Sequence, residues 1–230
     1  MSGQRTFELL LPTRRGAEFL VFDSNRLASE FLASWPGSGH QGLERCVILC
    51  GDSGSGKSHL ALQWAKKNQA VDLSLEQVGV EAAGLNNSRR AFVLDSFPTA
   101  PLSSQVEDWF FHFLNQLTAS QGSLLVTSRV NPKNWEIKLP DLRSRLLAMS
   151  LYRLEAAEDD LLRALAVMFF REFQIVVEPE LIDYLLARTV RSPAALYQLI
   201  NQLNEEGLKK HRAVTIQLAR EFLTPRPERE

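Results

Sequence analysis

Cysteine is nearly absent from this chain: two of 230 residues, Cys46 and Cys50. They stand four apart in an apolar run that reads as a strand, which separates them by about 13 Å. A disulfide needs its Cα atoms within about 7 Å. The expectation is therefore two buried free thiols in a reducing compartment, the cytoplasm. With no further cysteine, a thiolate metal cluster is excluded. The four histidines, His40, His59, His112 and His211, show no ligand spacing such as His-Glu-x-x-His. An excess of charge is missing too: 26 basic residues face 27 acidic ones, for a net charge of -1. Proteins that live on the DNA backbone are more basic, so direct DNA binding is not expected. No apolar run approaches the roughly 20 residues of a membrane span. The early patch Leu9-Leu10-Leu11 is broken by Pro12, and no signal-peptide core is present. Internal repeats and low-complexity tracts are also lacking. With 45% hydrophobic and 23% charged residues, disordered, collagen-like and coiled-coil chains are excluded. A chain of this length buries roughly 70% of its unfolded surface, as one large domain or two small ones.

What is present falls into four stretches. Residues 1–12 read as an extended tail, with Gln4, Phe7 and Leu9 in it. Residues 13–153 carry strand–helix alternation. Leu27, Phe31 and Leu32 give a first helical stripe, with Asp23 or Ser24 as its N-cap. Cys46–Cys50, Ala91–Leu94 and Ser123–Thr127 are fully apolar or nearly so, the mark of buried parallel strands. Val71 and Leu73 suggest a fourth strand, and Leu147–Leu151 a fifth that closes the sheet. Helices are expected at Leu60, Ala61 and Trp64, and from Val106 to Leu117. The fold class is α/β, with a five-stranded parallel sheet. Residues 154–224 then turn all-helical. Leu161, Leu165 and Phe169, Leu181 to Leu186, and Leu196, Leu199, Ile200 and Leu203 repeat at helical spacing, and Thr215 caps a last short helix. Residues 225–230 read as a frayed end.

The sharpest motif is Gly51-Asp52-Ser53-Gly54-Ser55-Gly56-Lys57-Ser58, which matches Gly-x-x-x-x-Gly-Lys-Ser/Thr. It follows an apolar strand and opens a helix, the context a P-loop requires. Its glycines let backbone N–H groups wrap phosphates at a helix N-terminus. Lys57 is expected at the β- and γ-phosphates of ATP or ADP, and Ser58 on Mg²⁺. Asp95 closes the next apolar strand and is the expected second magnesium partner. Ser96 follows it, where many P-loop enzymes carry a second acid, and a serine cannot act as a general base at neutral pH. Thr127-Ser128-Arg129 ends a further strand, and Ser128 is expected near the γ-phosphate. Arg143 and Arg145 lie in Leu139-Pro140-Asp141-Leu142-Arg143-Ser144-Arg145-Leu146, just before the helical part. Such an arginine reaches a neighbour's γ-phosphate in nucleotidases that assemble side by side. A solvated basic turn is the plainer reading.

Three segments together carry a resemblance: the P-loop through His59 and Leu60, the upstream Phe19-Leu20-Val21-Phe22-Asp23-Ser24-Asn25-Arg26, and Pro140 to Leu146. The chain resembles the AAA+ core of the bacterial replication initiator DnaA. More closely it resembles the Hda-type DnaA-related regulators, in the form found in alphaproteobacteria. The resemblance implies a P-loop AAA+ core followed by a small helical lid. It implies that Phe22 and Asn25 line an adenine pocket, that His59 belongs to the nucleotide loop, and that Arg145 is an arginine finger acting in trans. Gln4-x-x-Phe7-x-Leu9 resembles the peptide with which such proteins bind the DNA polymerase sliding clamp. Clamp and DnaA are the implied partners, with a homo-oligomer possible. Two departures accompany it: Ser96, and Ala194 where the family's lid arginine is expected, with Arg191 displaced from that position. Three functions fit: a regulator that promotes hydrolysis of DnaA-bound ATP, a self-contained ATPase or loading factor, and a non-enzymatic tether.

Overall fold

The computed structural model describes residues 20–75 and 90–223. The expected tail contacts Gln4, Phe7 and Leu9, and the end 225–230, lie outside these residues. The described chain divides into two units: Asp23–Glu155, and Ala156–Leu223 together with Leu20–Phe22.

The first unit is built on a five-stranded parallel sheet in the order β2-β3-β4-β1-β5. The strands are β1 (Cys46–Cys50), β2 (Val71–Asp72), β3 (Ala91–Leu94), β4 (Ser123–Ser128) and β5 (Ser150–Arg153). All pairings are parallel, and β1 lies between β4 and β5, with Cys50 opposite Ser128 and Arg153. β1 and β4 are buried along their whole length, which explains the apolar run of β1 and the Leu124–Val126 centre of β4. Side chains alternate between faces. Ile48, Phe92, Leu94, Leu124 and Val126 share one core with Phe110, Phe113, Leu114 and Leu117 of a long helix and with Leu142 and Leu146 of a short one. The intervening residues Val47, Leu49, Val93 and Leu125 are equally buried on the other face. Four α-helices belong to this unit among the described residues: α1 (Arg26–Ser34), α2 (Lys57–Asn68), α3 (Ser104–Ala119) and α4 (Pro140–Ala148).

Two expected boundaries move. The stretch Leu147–Leu151 is not one strand: Leu147 and Ala148 complete α4, and β5 begins at Ser150. Leu142 and Leu146 bury at helical spacing, and that stripe carries the helix past the point where the apolar run alone suggested a strand. The N-cap of α1 is Asn25, not Asp23 or Ser24. The Asp23 carboxylate pairs with Arg26 instead, and the Ser24 carbonyl accepts the Glu155 N–H at 3.0 Å.

The second unit contains α5 (Asp159–Glu172), α6 (Pro179–Leu186), α7 (Pro193–Lys209) and α8 (Ile216–Leu223). Its own core joins Leu162, Ala166, Phe169 and Phe170 with Leu185, Leu196, Ile200 and Leu203, and Leu20 and Phe22 pack against it. Ser192 caps α7 by accepting the Ala195 N–H, and Thr215 caps α8 by accepting that of Leu218. Among the described residues, no helix is long and apolar enough to cross a membrane.

Candidate functional site

The P-loop joins the end of β1 to the start of α2. Gly51 leaves the strand with its N–H donated to the Ser128 carbonyl at 3.2 Å. A Cβ there would stand 2.4 Å from the Leu154 carbonyl oxygen, so only glycine lets the two strand ends approach this closely. Gly54 and Gly56 adopt left-handed backbone, φ 79° and 92°, which turns successive N–H groups toward one concave side. Gly56 is also the N-cap of α2. Lys57 follows, only 7% exposed. Its ammonium donates to the carbonyls of Gly51 and Asp52, both at 2.7 Å, and to Ser55 Oγ at 3.2 Å. Burial pushes the Lys57 pKa below the ordinary lysine range; the neighbouring Cys50, Asp95 and Asp52 act against that shift, while Arg129 adds to it. Burial likewise lowers His59, which lies one turn into α2 within reach of Gln63. Trp64 anchors the same helix: its ring stacks on Trp35, and its Nε1–H donates to the Trp35 carbonyl at 3.0 Å.

Asp95 leaves β3 on the P-loop side. Its Oδ1 accepts the Ser58 hydroxyl at 2.9 Å and the Thr127 hydroxyl at 2.5 Å. Thr127 Oγ1 also accepts the Ser96 N–H at 2.7 Å. Ser58 and Asp95 are thus brought together, as the sequence led us to expect, and Thr127 orients the carboxylate. Ser96 itself has a left-handed backbone, φ 62°, an uncommon conformation for a non-glycine residue.

Ser128 is placed differently from its expected position at the γ-phosphate. Alternation along β4 puts Val126 and Ser128 on the α3 side and Thr127 on the P-loop side. The Ser128 hydroxyl accordingly donates to the Val130 carbonyl at 2.8 Å and accepts from Val130 N–H and Trp135 Nε1–H. Thr127, 1% exposed, is the strand-end hydroxyl that meets Asp95. Period-two counting from Leu124 and Val126 would have found it. Asp72 is the second residue that sequence reasoning missed. It ends β2 in register with Val93, two residues before Asp95. Burial and then the Asp95 charge raise its pKa.

Asn25 is 5% exposed at the N-cap of α1, and Phe22 packs on the helical core of the other unit. The neighbouring Ser24 hydroxyl is buried and has no hydrogen-bond partner among the described residues. The displaced Arg191 pairs with Asp159 at 3.4 Å, and Ala194 stands in the first turn of α7.

Arg145 lies on α4, half-buried, with Cζ 5.2 Å from the centroid of the Phe111 ring. Among the described residues it has no hydrogen bond and no ion pair. The two thiols are free and buried. Burial pushes Cys46 up to about 12 and raises Cys50 as well.

These residues fit a bound nucleotide diphosphate or triphosphate. The loop offers a concave array of N–H donors, a buried ammonium, and a hydroxyl–carboxylate pair of hard oxygen donors suited to Mg²⁺.

The arrangement has close structural company. Domain III of the Thermotoga maritima replication initiation protein DnaA superposes with a TM-score of 0.73 at 18% identity, covering 89% of this chain and 93% of that one. The fold is that of the DnaA-type AAA+ domain. AMPPCP-bound DnaA from Aquifex aeolicus gives 0.68 at 21% identity, over 83% of this chain and 65% of that one. The Thermotoga maritima Holliday junction branch migration motor RuvB gives 0.60 at 16% identity, over 77% of this chain and 61% of that one. In sequence, an uncharacterized protein of Haemophilus influenzae is 29% identical over 186 residues, 76% of this chain and 80% of its own length. No protein-family model matches the chain.

Proposed function

We propose that the chain is a nucleotide-bound AAA+ regulator of the Hda type, acting in the cytoplasm. It docks on the DNA polymerase sliding clamp through Gln4, Phe7 and Leu9. There it offers Arg145 to the ATP held by DnaA and so promotes hydrolysis and restrains replication initiation. The observation that carries this reading is the state of Arg145. A half-buried guanidinium without an oxygen partner has all its donors available to an incoming phosphoryl group. The chain's own nucleotide, ADP or ATP, is held by Lys57 and the 51–56 backbone, with Ser58 and Asp95 on Mg²⁺. The bound metal supplies charge neutralisation at the phosphates. Ser96 offers no carboxylate after Asp95, and this supports a holding role over rapid turnover.

Reconstitution with clamp, DnaA and ATP tests the reading. Wild type is expected to accelerate DnaA-bound ATP hydrolysis, and Arg145→Ala to lose nearly all of that acceleration while keeping nucleotide and clamp binding. Trans arginine fingers contribute roughly 10³–10⁵-fold. Full stimulation by Arg145→Ala removes the mechanism and leaves the tether.

One observation favours the self-contained ATPase. Asp72 brings a carboxylate to the strand beside Asp95, where Ser96 brings none. Turnover by the chain alone near 1 s⁻¹, lost in Asp72→Asn, would establish that reading in its place.

A further inference from the structure

Arg145 is held from one side by α3, and the hold has two parts. At the first, the Glu107 carboxylate, 1% exposed, accepts the Lys138 N–H at 3.0 and 3.1 Å and the Leu139 N–H at 2.7 Å. Leu139 is the N-cap of α4, so a buried anion fixes where that helix begins and satisfies N–H groups at its N-terminus. At the second, Phe111 lies four residues on from Glu107, on the same face of α3, and its ring lies under the Arg145 guanidinium. Between them, Leu142 and Leu146 bury against Phe110, Phe113 and Leu114 and set the rotation of α4.

The contact differs from an ion pair. A carboxylate would engage the N–H fork and compete with any incoming phosphate. An aromatic face attracts the charge while leaving the oxygen-seeking donors unpaired. An unsupported arginine would also lose rotamer freedom when it engaged a phosphate. A ring beneath it removes part of that loss in advance.

We propose that Phe111 is the positioning residue of Arg145, holding the guanidinium extended and unpaired before the partner's nucleotide arrives. The proposal rests on the trans reading of Arg145, but its first measurement does not. In the full-length chain with isotope-labelled arginine, the Arg145 side-chain protons should show the upfield ring-current shift of a cation over an aromatic face. Phe111→Tyr should retain that shift. Phe111→Leu and Phe111→Met, which keep comparable volume without a ring, should both abolish it. In the reconstituted reaction, the two ringless variants should lower the maximal rate of stimulated hydrolysis about two- to fivefold, the worth of a part-exposed cation–π contact. The concentration of this protein at half-maximal stimulation should stay unchanged, and Phe111→Tyr should behave as wild type. Either ringless variant suffices if the other fails to fold, with ADP affinity reporting the fold. Unchanged Arg145 resonances, or full maximal stimulation, in a folded ringless variant would overturn the proposal. If Arg145→Ala stimulates fully while the ring-current shift is present, the trans reading fails and the stacking stands.

Discussion

Lys57 has three protein oxygens around its ammonium and a loop of N–H groups beside it. Its pKa is depressed chiefly by burial, so the charge is poorly hydrated where it lies and gains from a phosphate. Lys57→Ala removes charge-assisted bonds worth about 1.5–3 kcal/mol each. ADP and ATP affinity should fall roughly 100-fold or more by calorimetry with the fold intact, and unchanged affinity would sink the P-loop assignment. Burial lowers His59 in the same sense, and there the shift bears on stability. Its folded pKa lies below 6.5 because burial, then the Lys66 charge, disfavours the cation. The unfolded chain therefore binds the proton first as pH falls. Its contribution to stability is present above pH 6.5 and is lost as pH drops through the folded value. Urea midpoints should thus decline from pH 7.5 to pH 5, and the decline should be shallower in His59→Gln. An identical decline in the variant would assign the acid sensitivity elsewhere.

The elements are where sequence and structure meet most directly. Gly51 is fixed by the approach of its backbone to Leu154, an encounter between the end of β1 and a residue that follows β5. Gly51→Ala forces that contact apart, at a cost of about 1–3 kcal/mol. The urea midpoint should fall accordingly, and nucleotide affinity with it. A midpoint equal to wild type would mean that the strand ends yield without strain. The apolar runs of β1 and β3, and Leu124–Val126 within β4, were legible because burial on both faces leaves little room for polar side chains. The P-loop was legible because its chemistry dictates its residues. The strand order was not legible, since β1 pairs with strands supplied much later in the chain. Thr127 rather than Ser128 meets Asp95 because a motif names a neighbourhood, and only the parity of the strand decides which of two adjacent hydroxyls turns to the P-loop side. Asp72 went unnoticed for a similar reason: nothing in its local sequence says that β2 lies beside β3. Phe111 drew no notice because helical spacing is blind to what lies across the interface between two helices.

At the scale of the whole molecule, two separate cores divide the work. The sheet unit contains the P-loop and Arg145, and the helical unit has its own packed interior. The proposed clamp contacts lie outside the described residues. Removing residues 1–12 should leave ADP affinity at the wild-type value and abolish clamp binding in surface-plasmon measurements. Phe7→Ala and Leu9→Ala should each weaken it roughly tenfold or more, since burying such a side chain contributes about 1.5–3 kcal/mol. Equal clamp affinity for the full and shortened chains would dismiss the tail as a docking segment.

The central position of β1 has a bearing on how the chain is made. Its five buried residues need β4 on one side and β5 on the other. β5 ends at Arg153, about a hundred residues after Cys50. At a synthesis rate of about 5–20 residues per second, the most apolar strand leaves the ribosome roughly 5–20 seconds before its last partner does. Throughout that interval a sticky edge is open to any other nascent chain. Slow codons before Arg153 would lengthen the exposure, and yield in the cell would then follow the tempo of translation as well as the stability of the finished protein.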